Sequence, residues 1–157
     1  MEQIHRREFI ARNFEGVVLA GSCLCGLSGC ATVTKVGATP LLPSDAYMVE
    51  PPTMLTVYLK KFPALSIPGG SAKIINSALP EPLIIARVDR DQFVVGSLRC
   101  PHRGVELEYQ PSHKRFRCAS LGHSKFGLDG SKLGGPAPRA IKMYAASVER
   151  GNLVIRL

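Results

Sequence analysis

Residues 100–126 read CPHRGVELEYQPSHKRFRCASLGHSKF and hold two of the five Cys and three of the four His. Cys100 and His102 belong to the short loop Cys100-Pro101-His102-Arg103-Gly104. Cys118 and His123 frame a second, Cys118-Ala119-Ser120-Leu121-Gly122-His123. Between them lie strand-like segments at 105–109 and 115–118, joined by a polar turn at 111–114. Two loops at the tip of a small β-structure, each with one Cys and one His, make a ligand set. It suits a 2Fe–2S cluster, with thiolates on one iron and imidazoles on the other. A tetrahedral zinc ion takes the same four side chains, and spacing alone does not separate the two.

This part of the chain resembles the Rieske family. The matching residues are Cys100-Pro101-His102-Arg103-Gly104, then Cys118, His123, Ser124 and Phe126, then Asp129-Gly130 and Gly135-Pro136-Ala137. The resemblance runs from about residue 54 to residue 157. It departs from the family at one place. The family has two residues between the second Cys and its His, this chain has four, and Leu121 stands three after Cys118. Leu cannot bind iron, so His123 is the candidate, reached through a wider loop. The resemblance implies a 2Fe–2S cluster with Cys100 and Cys118 on one iron and His102 and His123 on the other. Ser124, Phe126 and Pro136 would form its surroundings. A scaffold kept without its metal is the reading that Leu121 leaves open.

The fold implied is all-β: a Rieske-like antiparallel β-sandwich with a small cluster-binding subdomain, about 98–138, inserted between its strands. The residues point the same way. Apolar, β-branched runs at 56–59, 73–75, 83–88 and 93–95 are separated by turn signals. Val148 and Leu153-Val154-Ile155 flank the turn Glu149-Arg150-Gly151-Asn152. Strands this short and evenly spaced argue for a sandwich or barrel. Gly134-Gly135-Pro136-Ala137-Pro138 resembles the family's proline-rich loop, which covers the cluster. Read alone, it is an ordinary surface loop.

The resemblance also bears on potential. High-potential members have two further Cys, which form a disulfide, and a Tyr hydroxyl on a Cys sulfur. Here Val105, approximately Ser120, and Phe126 stand at those positions. Fewer donors to sulfur imply a midpoint below the quinol-oxidising members, with Ser124 as a remaining donor.

Ahead of the domain, His5-Arg6-Arg7-Glu8-Phe9-Ile10 resembles a twin-arginine export signal, followed by an apolar stretch at 16–27. That stretch is short for a membrane span and the right size for a signal core. Leu27-Ser28-Gly29-Cys30 resembles a lipobox, with Cys30 as the lipidated residue. An uncleaved signal anchor is the alternative. The expected division is a signal peptide at 1–29, the lipidated Cys and a proline-stiffened tether at 30–52, and the domain at 53–157. An edge strand at 47–49 is the competing reading of the tether.

The formal charge is +8, and all of that excess lies beyond residue 30. Basic residues are scattered among strands, which argues against a nucleic-acid partner. They suit an acidic, cytochrome-like redox protein. His113 is expected in an exposed turn, and His5 belongs to the export signal. No nucleophile–base constellation and no phosphate loop stand out. The expectation is a periplasmic, membrane-anchored electron carrier rather than a complete enzyme. A subunit of a larger respiratory complex and a cluster-free interaction domain are the alternatives.

Overall fold

A computed structural model describes residues 38–50 and 53–157. The expected export signal, the apolar stretch and Cys30 lie outside the described residues. Twelve strands occur among those described. They begin β1 (Tyr47–Glu50), β2 (Met54–Val57), β3 (Ser71–Ile74), β4 (Leu83–Arg87) and β5 (Phe93–Ser97). Then come β6 (Leu107–Gln110), β7 (Arg115–Cys118), β8 (Lys125–Phe126) and β9 (Lys132–Gly134). The chain ends with β10 (Met143–Tyr144), β11 (Ala146–Glu149) and β12 (Asn152–Arg156). No α-helix occurs among the described residues, and no helix there is long and apolar enough to cross a membrane.

The strands form three antiparallel sheets, ordered β1-β2-β12-β11, β10-β5-β4-β3 and β6-β7-β8-β9. Strand β4 shows why they stack. Its Leu83-Ile84-Ile85-Ala86 run is apolar without alternation, as a strand buried on both faces must be. Leu83 and Ile85 point into one core, against Leu55, Val57, Leu153 and Ile155. Ile84 and Ala86 point into a second, against Leu107, Phe116 and Phe126. The period of two thus makes β4's sheet the middle layer. Each fully buried Leu or Ile contributes roughly 1.5–3 kcal/mol.

The sandwich is as expected, with three corrections of detail. Residues 38–50 are not tether. Leu42 and Ala46 are buried in the first core, and Tyr47–Glu50 pairs with β2 as the edge strand. The prolines misled because the pairing that fixes this segment lies in residues distant along the chain. Strand β2 ends at Val57, and Leu59–Lys61 turns as a 3-10 helix. Strands β9 and β10, of three and two residues, carry no pattern that sequence could show.

A buried ion pair ties the middle sheet to the third. Lys73 on β3 meets Glu106, next to β6, with Nζ 2.8 Å from Oε2 and both side chains only 8% exposed. His113 lies exposed in the 3-10 turn Pro111–His113, and Lys114 closes that turn at φ +47.

Candidate metal centre

Both cysteines sit in the second core. Cys100 is 1% exposed and Cys118 is fully buried, and neither forms a disulfide. Backbone hydrogen bonds close each loop at its neck. The Cys100 N–H donates to Val105 O at 2.9 Å, and the Gly104 N–H donates to Cys100 O at 2.8 Å. Gly104 takes φ +68, which a residue with a Cβ rarely adopts. In the second loop the Cys118 N–H donates to Ser124 O at 2.8 Å, and the His123 N–H to Ser120 O at 3.0 Å. The Ala119 N–H donates to Glu106 O at 3.0 Å, so the second loop is stitched to the exit of the first.

The two thiols share the second core. Burial pushes the Cys100 thiol above its ordinary value. The His102 backbone N–H opposes that shift, the neighbouring Cys118 thiol adds to it, and the Ser124 hydroxyl also opposes it. Adjacent buried thiols favour a state in which a cation, not a proton, balances their charge.

His102 supplies the clearest sign of a missing partner. Its Nδ1 is the one buried side-chain nitrogen or oxygen without a hydrogen bond among the described residues. An orphaned imidazole nitrogen beside two buried thiols fits an iron–sulfur group. No three His, Cys, Asp or Glu side chains among the described residues converge as on a single ion. Cys100, Cys118 and His102 are the thiolate and imidazole donor types that a 2Fe–2S cluster takes.

His123 has polar neighbours of its own. Arg117 donates from Nη2 to its Nδ1 at 2.8 Å, and Cys118 O lies 3.5 Å from the same nitrogen. The residue holds φ +44. Leu121, three after Cys118, points outward and is 96% exposed.

A third loop lies on the second. The fully buried Ser124 accepts a hydrogen bond on Oγ from the Ala137 N–H at 3.1 Å. Gly135, at φ +86, approaches so closely that a Cβ there would be 2.5 Å from Ser124 Cα. A Cβ on Gly122 would stand 2.8 Å from Pro136 Cγ and 4.0 Å from His102 Cε1. Pro136 therefore packs against the second loop at Gly122. Phe126 is buried in the second core and pairs across the strands with Phe116. One residue with a role was missed: the Ser120 hydroxyl lies 3.1 Å from Cys118 Sγ. Its signal was a hydroxyl two positions after the cysteine.

The model of the Rieske [2Fe-2S] domain matches residues 63–145. The chain is similar to the cytochrome b6-f complex iron-sulfur subunit 3 of Nostoc sp. (strain PCC 7120 / SAG 25.82 / UTEX 2576). The two are 24% identical over 139 residues, which cover 80% of this chain and 78% of the relative. Among solved structures, the ferredoxin of carbazole 1,9a-dioxygenase from Nocardioides aromaticivorans IC177 superposes with a TM-score of 0.52 at 15% identity. It covers 64% of this chain and 92% of its own. The plasma membrane Rieske protein PetC3 from Synechocystis PCC 6803 gives 0.49 at 22% identity, over 56% of this chain and 87% of its own.

Proposed function

The chain belongs to the Rieske [2Fe-2S] domain family, and from that premise we propose an exported, membrane-anchored protein that passes single electrons between redox partners. The domain of this family binds a 2Fe–2S cluster. The ligands proposed here are Cys100 and Cys118 for one iron and His102 and His123 for the other. The observation that carries this reading is the buried, unpartnered Nδ1 of His102 beside two buried thiols.

When bound, the cluster supplies a one-electron couple whose potential is raised because neutral imidazoles replace two thiolates. The chain's own residues set the conditions for it. The second core surrounds both thiolates with apolar side chains and keeps the local dielectric low. The Ser124 and Ser120 hydroxyls are within reach of Cys sulfur, where donation favours the more negative, reduced state. Pro136 against Gly122 limits water at the site. The scattered excess of positive charge favours encounter with an acidic partner. A cytochrome-type partner is in keeping with the relative named for a cytochrome b6-f complex.

Export and anchoring rest on the motifs at Arg6-Arg7 and Leu27-Ser28-Gly29-Cys30. A signal of the twin-arginine type carries folded proteins, which suits a chain that receives its cluster before export. Two acyl chains on Cys30 would hold it stably at a membrane, since each buried methylene is worth about 0.8 kcal/mol. Cys30→Ser should release the protein from the membrane fraction and remove the lipid mass. If the variant stays in the membrane, the signal-anchor alternative replaces lipidation.

The central test is iron and acid-labile sulfide per chain, with the electron paramagnetic resonance spectrum of the reduced protein. Two of each per chain and a Rieske-type spectrum are expected. A colourless, iron-free protein after anaerobic reconstitution would overturn the redox role.

A further inference from the structure

His123 presents a chemical difficulty for its assigned role. The Arg117 guanidinium lies 2.8 Å from His123 Nδ1. A guanidinium only donates, so Nδ1 accepts with its lone pair and the neutral ring carries its proton on Nε2. Neither nitrogen then has a lone pair to give to iron. Binding through Nδ1 requires release from Arg117. Binding through Nε2 requires loss of that proton to leave an imidazolate. The backbone adds to the restraint, because the His123 N–H is tied to Ser120 O at 3.0 Å. His102 is the contrast: its buried Nδ1 has no competing partner.

We propose that Arg117 is a positioning residue that competes with iron for the His123 lone pair, making His123 a displaceable fourth ligand beside a firm His102. This rests on the ligand set given above. Arg117 stabilises the ring with its Nδ1 lone pair engaged at 2.8 Å, so it favours the state in which His123 is not bound to iron. Removing the guanidinium should therefore make the site hold iron more firmly. A merely electrostatic role has the opposite sign, since losing a cation beside anionic thiolates would hasten iron loss.

The test uses the full chain loaded with its cluster. Iron transfer to a ferrous chelator after reduction is timed for wild type, Arg117→Met, Arg117→Lys and His123→Ala. Pulsed paramagnetic resonance on 15N-histidine-labelled protein counts the coordinated ring nitrogens. Arg117→Met should slow iron loss about tenfold, the scale of a lost hydrogen bond to a charged group. Arg117→Lys, which keeps the charge and the fold but not the planar fork, should fall between. Wild type should show two coordinated nitrogens, and His123→Ala one. In the His123→Ala background, Arg117→Met should no longer slow iron loss. Loss from Arg117→Met at the wild-type rate or faster, with one nitrogen gone in His123→Ala, overturns the competition and leaves the ligand set standing. Two nitrogens remaining in His123→Ala overturn both.

Discussion

His102 carries the site's clearest residue-level signature, and substitution there separates cluster from scaffold. His102→Ala should reduce bound iron and sulfide to background. The thermal midpoint of the metal-free protein should change little, because the nitrogen removed has no partner to lose. Ser120 acts on the couple, and Ser124 acts on it while also accepting the Ala137 N–H of the third loop. Each replaced by Ala should lower the midpoint by some tens of millivolts, from about 1 kcal/mol of hydrogen bonding to the reduced state. Potentiometric titration reads that shift. Gly135 is needed for both conformation and space. A Cβ at φ +86, 2.5 Å from Ser124 Cα, must push the third loop off the second. Gly135→Ala should cost roughly 1–3 kcal/mol in denaturant unfolding and expose the site to solvent. Cys100, His102, Cys118 and His123 could be picked out because each of two short loops holds one Cys and one His. Ser120 could not, because a hydroxyl two residues past a cysteine is common and only the loop's curl brings it to sulfur.

At the scale of elements, the middle sheet connects sandwich and site. Lys73 from β3 and Glu106 beside β6 meet in a buried pair, and the Glu106 carbonyl also receives the Ala119 N–H of the second loop. Lys73→Met alone takes the cation away from a buried carboxylate and should destabilise by about 3–5 kcal/mol. Pairing it with Glu106→Leu should recover much of that loss, as a double-mutant cycle in urea would measure. Strand β4 could be recognised because an unbroken apolar run has few other uses. Strand β1 was legible only as the alternative to a tether: Tyr47–Glu50 lies between prolines and gains its strand character from pairing with β2.

For the whole molecule, charge is the property that reaches furthest. The excess of +8 is spread over the chain rather than gathered at one face of a helix. Oxidation of the reduced protein by ferricyanide, an anion, should slow as salt is added. Oxidation by a cationic cobalt(III) complex should quicken. The Debye length falls from about 10 Å at 0.1 M salt to about 3 Å at 1 M, which sets the range to scan. Rates independent of ionic strength for both oxidants would remove electrostatic steering from the account.

The sequence alone indicated the class of fold and the family, and it singled out the four candidate ligands Cys100, His102, Cys118 and His123. Those features depend on local patterns: apolar runs bounded by turns, and a Cys and a His within one short loop. The tertiary structure alone decided that residues 38–50 belong to the domain, that Pro136 packs against Gly122, and that Ser120 reaches a sulfur. It also set His123 against Arg117, and that pairing could not be foreseen from the spacing. Spacing fixes how far a loop can reach, whereas competing partners fix where its side chain comes to rest.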